Sequence, residues 1–276
     1  MGNVSLNLDE ILLDLKAAAR LGVPEALDMA LAALDDWRAF GANARLKEED
    51  VNAVLTPLGE ILAEPTVPEA YLRMLANHSL AGARALAAAA LARRALREGN
   101  VPPKILPRLA ADKRPEVRQA VVAVFQRHGE SAPDALLTLL RQWLTATHRP
   151  RLAVTALQAA QSLALTRPQE TLTLLTEMPS ALRAMPEVQR ALGDALRQVA
   201  AQSQGEAVLA LLEGWQADGL PEEALLRALR GDWARAHRTR ALALLDALES
   251  QTGASRALRR ARQRLQTNET ADKQEP

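Results

Sequence analysis

Apolar residues recur at helical spacing along most of the chain, in stretches that end at short polar turns. In the clearest stretch, residues 104–129, two apolar stripes flank the polar turn Asp112–Arg114. Their members are Ile105, Leu106 and Leu109 before the turn, and Val117, Val121 and Val124 after it. Residues three and four apart lie on one side of a helix, so each stripe predicts an amphipathic helix. The pattern predicts a pair of antiparallel helices joined by a tight turn.

Proline punctuates this pattern at a nearly constant step. Pro115, Pro150, Pro186 and Pro221 are separated by 35, 36 and 35 residues, and glutamate follows three of them. Proline suits the first turn of a helix because its φ is already fixed and no partner is needed there for an N–H group. A carboxylate beside it interacts favourably with the helix dipole. A period of this length indicates stacked structural repeats. We therefore expect each proline to begin the second helix of a pair.

The flanking segments are less regular. We predict helices at about 7–21, 24–40, 48–63, 69–77 and 80–98, and further helices near 233–250 and 254–266. Residues 178–185 are predicted to form a longer loop. In the fourth unit Glu223 stands where earlier units have Val117, Leu152 and Val188, so the register weakens there. Roughly thirteen to fifteen helices result, enough for about six or seven stacked pairs.

Composition agrees with an all-α fold. The chain of 276 residues contains 55 alanines and 49 leucines, but only one tyrosine, two phenylalanines and four tryptophans. Alanine and leucine favour helices, whereas the aromatic residues that favour strands are scarce. The absence of cysteine excludes disulfides and thiolate metal sites. We find no secretory leader pattern and no apolar run of membrane-spanning length, so we expect a cytoplasmic protein that does not enter a membrane.

One unit resembles a known repeat family. Leu106-Pro107, Leu109, Asp112 and the run Pro115–Ala120 (PEVRQA) are similar to the HEAT repeat signature. The resemblance covers residues 80–231 and is partial at Pro150 and Pro186. It implies a right-handed α-solenoid of stacked antiparallel helix pairs, and hence a non-enzymatic scaffold that binds another protein. In such a fold the second helices line a concave groove, where we expect contacts from Gln119, Arg127 and Gln189.

The expected domain organisation follows from this resemblance. We predict a single solenoid domain over residues 1–266. Within it, residues 1–79 form irregular N-terminal helices, residues 80–231 the clearest repeats, and residues 232–266 basic C-terminal helices. The polar, aperiodic segment 267–276 is predicted to be a disordered tail.

Charge is distributed unevenly although the formal net charge is only +1. Residues 1–80 carry 13 acidic and 6 basic side chains, whereas residues 227–264 carry 10 arginines and three acids. Opposite ends of this kind can indicate an anionic partner, head-to-tail self-association or simply a solvated arginine surface. The planar guanidinium group of arginine binds two phosphate oxygens at once, so nucleic-acid or anion binding is an alternative function. The candidate contacts are Arg235, Arg238, Arg240, Arg256, Arg259, Arg260 and Arg264.

Catalytic motifs are not found in the sequence. The four histidines are far apart, and the common nucleophile, metal and phosphate-loop patterns do not occur. We therefore predict no catalytic residue, cofactor or metal. A third hypothesis is a HEAT-based enzyme, either a bilin-lyase-like protein or a DNA glycosylase-like one. Asp232-Trp233, followed by arginines, faintly resembles the aspartate and tryptophans of the glycosylase group.

Overall fold

The computed structural model describes residues 59–266, apart from 61, 66, 80, 99–103 and 146–148, together with helical Ala17. All regular secondary structure in this part of the chain is helical, which agrees with the all-α fold that the composition predicts. The predictions for residues 7–21, 24–40 and 267–276, and for most of 48–63, lie outside the described residues. The chain divides into two compact units, residues 1–136 and 137–276. The single-domain organisation stays a prediction.

Fourteen α-helices are described, and we number them in chain order. They are α1 (Glu69–Asn77), α2 (Ala81–Glu98), α3 (Ile105–Ala110), α4 (Pro115–His128), α5 (Pro133–Thr145), α6 (Pro150–Thr166), α7 (Pro168–Thr176), α8 (Ser180–Arg183), α9 (Pro186–Val199), α10 (Gly205–Gly214), α11 (Glu222–Ala228), α12 (Trp233–Ala236), α13 (Arg238–Thr252) and α14 (Arg256–Gln266). A five-residue π-helix, Ala200–Gln204, joins α9 to α10.

The evenly spaced prolines mark helix starts, as predicted. Pro115, Pro150 and Pro186 occupy the first turn of α4, α6 and α9, respectively. Pro221 lies one position earlier, at the N-cap of α11. The predicted helices 69–77 and 80–98 correspond to α1 and α2.

Two sequence expectations were wrong. The predicted loop 178–185 contains the short helix α8, whose Leu182 is buried. The predicted helix 233–250 is two helices, because the backbone of His237 leaves helical geometry with φ −112° and ψ 34°. The four residues of α8 are too few to show a helical spacing. At His237 the apolar spacing continues through the break and so does not reveal it.

In the first unit, α2 packs against α1, α3 and α4. Its alanine-rich segment from Ala85 to Ala92 is fully buried, which allows neighbouring helices to come close. Arg84 of α2 binds the turn between α3 and α4, since its Nε lies 2.9 Å from Asp112 Oδ2. Arg118 of α4 binds the same turn, because its Nη1 donates to the Asp112 carbonyl oxygen at 2.7 Å. The aspartate turn thus contacts both α2 and α4.

In the second unit, α9 lies between α6 and α11 and contacts both. The contact with α11 is unusually close. A Cβ atom placed on Gly193 of α9 would lie 2.7 Å from the carbonyl oxygen of Ala224 and 3.0 Å from its Cα. Glycine is therefore required at this position. The same approach brings Arg227 of α11 within 2.9 Å of Asp194, next to Gly193.

Polar contacts between elements of the second unit have several sequence separations, such as 27 for Arg240–Glu213 and 31 for Leu220–Gln251. Seven of them connect residues about one proline period apart, with separations between 33 and 36 residues. The pairs are Arg141–Glu177, Arg183–Asp218, Gln189–Glu223, Arg190–Glu223, Asp194–Arg227, Gln216–Gln251 and Glu222–Ser255.

The weakened register at Glu223 has a structural explanation. Val117, Leu152 and Val188 are buried apolar residues. Glu223, in contrast, accepts hydrogen bonds from Arg190 and Arg227 through Oε1, at 3.2 and 3.3 Å. Burial alone raises the pKa of Glu223, but the two arginines outweigh it and hold that pKa below its ordinary value. At this position, the contacts of Glu223 with Arg190 and Arg227 thus replace the apolar contact of the earlier units.

Replacing Gly193 with alanine should destabilise the second unit. The added Cβ would overlap the Ala224 backbone, which cannot move as a flexible side chain would. Overpacking of this kind costs about 1–3 kcal/mol. Thermal and denaturant unfolding should show the loss. Gly214→Ala is the matched control, because Gly214 ends a helix and its Cβ would meet nothing within 4 Å. Equal melting temperatures for the two variants would contradict the close contact.

Replacing Asp112 with asparagine should destabilise the first unit and alter its acid sensitivity. Burial alone raises the pKa of Asp112, but hydrogen bonds from the Arg84 side chain and the Arg114 backbone lower it below the ordinary 3.8. The folded pKa is the lower one, so this stabilisation is complete above about pH 4 and is lost as the pH falls through the folded pKa. Asp112→Asn should cost about 1–3 kcal/mol at neutral pH.

Unfolding curves between neutral and acidic pH measure both effects. In the variant, stability should fall less steeply below pH 4 than in the wild type, because the titrating group is gone. Asp232→Asn provides the control, since the Asp232 side chain is 94% exposed and pairs only with Arg235 in its own turn. A similar loss in both variants would contradict the role of Asp112.

Candidate functional site

The last described helix, α14, is amphipathic and packs against α13 and α11. Its apolar stripe consists of Leu258, Ala261 and Leu265, all buried. The helix begins where Ser255 Oγ accepts a hydrogen bond from the Leu258 N–H at 3.1 Å, which satisfies an end group of the first turn. The rest of the helix surface carries arginine and glutamine. Burial of one stripe therefore fixes which side of α14 faces solvent.

Helix α14 carries positive charge in its first turn. Its sequence, RALRRARQRLQ, has no acidic residue, and its first turn carries Arg256 and Arg259. A helix N-terminus favours negative charge, and like charges four residues apart repel. An acid lies in the first turn of α1, α4, α5, α7, α9, α10 and α11, but not in that of α2, α3, α6, α8, α12 or α13. The arginines in the first turn of α14 are unfavourable for the helix.

Several candidate arginines are bound to acids within the fold. Arg240 forms two hydrogen bonds to Glu213, at 2.8 and 2.7 Å, and these bonds raise the pKa of Arg240 and lower that of Glu213. Arg235 pairs with Asp232 in the same turn at 2.8 Å. Arg238 is half-buried and also interacts with other groups. These three residues are therefore engaged in contacts within the protein.

Arg262 holds α14 against α13, although the sequence did not single it out. Its Nη2 atom lies 2.5 Å from Asp246 Oδ1 and 2.6 Å from Glu249 Oε2. The hydrogen bond to Glu249 is the main cause that raises the pKa of Arg262. Asp246 and Glu249 are the only acids of the basic region on α13, so Arg262 uses both of them.

Three of the remaining arginines of the cluster have no described partner. Arg256, Arg259 and Arg260 are exposed, and none forms an ion pair or side-chain hydrogen bond with a described residue. Arg264 is exposed too, and its Nε donates to the Arg260 carbonyl oxygen at 3.4 Å. The structure therefore divides the predicted arginine cluster into residues that stabilise the fold and residues that face solvent.

An open cavity of about 420 Å³ lies beside α14. Arg230, Arg260, Gln263 and Arg264 line it. Arg230 follows α11, is exposed, and forms no ion pair or side-chain hydrogen bond with a described residue. The sequence prediction missed Arg230 and Gln263, because the distance from Arg230 to α14 depends on how α11 packs. The described residues that line the cavity include no carboxylate and present cationic and amide donors.

The three residues expected on a concave face have different surroundings. Gln189 accepts from the Glu223 N–H at 2.9 Å and donates to the Ala184 carbonyl oxygen at 3.3 Å. Arg127 pairs with Glu60 at 3.0 Å. Gln119 is half-buried. Gln189 and Arg127 therefore have contacts within the fold that a partner would have to replace.

The described aromatic residues belong to helix packing. Trp143 and Trp215 are buried, as expected, and Trp215 also lies under the buried guanidinium of Arg183, 4.2 Å from ring centroid to Cζ. Trp233 is half-buried, and a Cβ atom on Gly231 would lie 2.4 Å from its ring. Asp232 pairs with Arg235 in its own turn. Trp233 therefore lies in a tightly packed corner, whereas the Asp232 side chain is 94% exposed.

Metal-binding groups and membrane-spanning helices would each indicate a particular kind of site. Among the described residues, no group of three or more histidine and acidic side chains is arranged to hold a metal ion. None of the described helices has the length and apolar character needed to cross a membrane. Comparison with protein-family models, curated proteins and solved structures finds no match to the chain.

Substitutions on α14 should separate the two kinds of arginine. Arg256→Glu should stabilise the protein by about 0.3–1 kcal/mol, because an acid replaces a cation at the helix N-terminus. Arg262→Gln should lower the melting temperature, because α14 loses its polar contacts with α13. Thermal unfolding at low ionic strength measures both changes. Destabilisation by Arg256→Glu would contradict the description of Arg256 as an exposed cation without an internal role.

Proposed function

We propose that the protein is a non-enzymatic interaction scaffold of HEAT-like helix pairs and that α14 contacts an acidic region of a protein partner. The observation that carries this proposal is the set of exposed arginines Arg256, Arg259 and Arg260, none of which is paired with a described residue. The fold retains these charges although they weaken the start of α14. An anionic partner would offset that repulsion.

The polar contacts of the second unit support the scaffold part of the proposal. Equivalent positions 33 to 36 residues apart bind each other, as expected for successive units of a stacked repeat. In such an arrangement each unit contacts its neighbours and leaves an extended surface for a partner. The proposal includes the right-handed solenoid arrangement and a cytoplasmic location, the latter because the chain contains no cysteine.

A protein partner is preferred to nucleic acid for a physical reason. Proteins that hold single strands combine basic grooves with exposed aromatic rings on which bases stack. The described aromatic residues near the basic region are Trp215, which is buried, and Trp233, which is half-buried against Gly205 and Gly231. An arginine surface without a stacking ring suits carboxylate or phosphate groups of a protein.

The proposal predicts that partner binding depends on the arginines of α14. The tagged protein and an Arg256→Gln/Arg259→Gln variant are used as baits in nuclease-treated extract of the native cell, followed by mass spectrometry. The wild type should retain a specific protein, and the variant should lose most of it. Arg114→Gln/Arg151→Gln is the matched control, because both of these arginines are exposed and neither side chain is paired.

Three results would contradict the proposal. The first is that no protein is retained specifically by the wild type. The second is that retention is equal for the wild type and the α14 variant. The third is that retention depends on nucleic acid and disappears after nuclease treatment, which would favour the alternative of nucleic-acid binding. A gel-shift titration at low and high salt then measures that alternative directly.

A further inference from the structure

We propose that the cavity beside α14 binds a phosphomonoester group, namely the phosphorylated serine or threonine of a partner protein. Arg230, Arg260, Gln263 and Arg264 line this cavity, which we call the phosphate cavity. The inference rests on the proposed function, because the phosphorylated residue would belong to the same partner. It adds a chemical identity and a second group of residues to that function.

The lining residues come from two separate parts of the fold. Arg230 lies just after α11, whereas Arg260, Gln263 and Arg264 lie on α14. The packing of α11 against α14 brings these parts together. Within α14, Arg260 and Arg264 are four residues apart and so lie on one side of the helix. Three guanidinium groups therefore converge on one open space from two elements.

The charge balance of the cavity favours an anion. No acidic side chain of a described residue lines it, and neither Arg230 nor Arg260 is paired with a described residue. The acids of α13, Asp246 and Glu249, bind Arg262, and Glu213 binds Arg240. Arg230 and Arg260 thus bring positive charge to the cavity that no described residue compensates. A bound dianion would neutralise two of the three cations.

The donors fit a terminal phosphoryl group better than other anions. A guanidinium presents paired N–H groups in one plane, and it binds two oxygens of a phosphate at once. A phosphomonoester has three terminal oxygens and a charge of about −1.5 to −2 at neutral pH, so it can use several such forks. A phosphodiester offers two free oxygens and one charge. The amide of Gln263 can supply a further neutral donor.

The cavity has room for a phosphorylated side chain, because its volume is about 420 Å³ and it is open to solvent. An open cavity lets a phosphorylated side chain enter while its backbone stays on the exposed surface of α14. Arg256 and Arg259 of the same helix would then contact residues that flank the phosphorylated one.

The test measures phosphate binding by the full chain in solution. The probes are inorganic phosphate, a Gly-Gly-phosphoserine-Gly-Gly peptide, its unphosphorylated form and a single-stranded phosphodiester oligonucleotide. Chemical-shift titrations by NMR give each affinity, at low salt because the contacts are ionic. The phosphorylated peptide should bind, its unphosphorylated form should not, and the oligonucleotide should bind more weakly than the phosphorylated peptide.

The variants Arg230→Gln and Arg260→Gln test the cavity itself. Each should weaken binding of the phosphorylated peptide by about tenfold, the effect of losing a charge-assisted hydrogen bond. Arg151→Gln is the matched control, because it removes one exposed charge that lies neither on α14 nor in the cavity and should change the affinity by less than about twofold. All three replaced side chains are exposed, so the melting temperatures of the variants should stay close to that of the wild type.

Three outcomes would overturn the inference. One is that the phosphorylated peptide does not bind to the folded wild type. Another is that Arg230→Gln, Arg260→Gln and Arg151→Gln weaken binding equally, which would mean a diffuse charge effect. The last is that the oligonucleotide binds at least as tightly through Arg230 and Arg260, which would assign the cavity to nucleic acid.

The failure of this inference can be distinguished from the failure of the proposed function. If extract proteins are retained through Arg256 and Arg259 but the phosphorylated peptide does not bind, the scaffold function stands without the phosphate cavity. If the peptide binds through Arg230 and Arg260 but no protein is retained, the cavity binds phosphate while the proposed partner function is wrong.

Discussion

The close contact between α9 and α11 is the constraint on which the arginine pairing of the second unit depends. Gly193 has no side chain, so the backbone of Ala224 can lie directly against α9. At this separation Arg227 reaches Asp194, and Glu223 reaches Arg190. A larger residue at position 193 would move α11 away and lengthen both ion pairs. Small residues at the helix contact thus determine which charges can be compensated inside the fold.

The acids on neighbouring elements separate the arginines that stabilise the fold from those that are exposed. Arg84, Arg227, Arg240 and Arg262 all find acids on neighbouring elements, at distances of 2.5 to 2.9 Å. Helix α14, which follows α13, contains no acidic residue but is rich in arginine. Arg230, Arg256, Arg259 and Arg260 are therefore exposed without a described partner. The overall charge of +1 hides this local excess, because acids and bases are distributed unevenly along the chain.

Much of the local structure was predictable from short-range patterns. Proline at the first turn and apolar residues at helical spacing determined the starts of α4, α6 and α9. The break at His237 was not predictable, because Trp233 to Leu248 continues the apolar spacing through it. Helix α8 was missed for a different reason, since four residues are too few to display a period.

The candidate site was only partly predictable. The sequence placed Arg256, Arg259, Arg260 and Arg264 on one helix, and this part is confirmed by α14. Arg230 was not identified, because its neighbours depend on the packing of α11 against α14. The sequence also could not show that Arg240 binds Glu213, which is 27 residues away. Pairing between distant residues is set by helix rotation and separation, and neither can be derived from local spacing.

The most direct test of this account follows the arginine Nε–Hε signals by NMR while inorganic phosphate is added. Single arginine-to-glutamine variants assign the signals. The account predicts that the signals of Arg230 and Arg260 shift in a saturable manner, whereas those of Arg84 and Arg227 stay in place because acids already bind them. Equal shifts for all four arginines, or no shift for Arg230 and Arg260, would contradict the division into structural and available arginines.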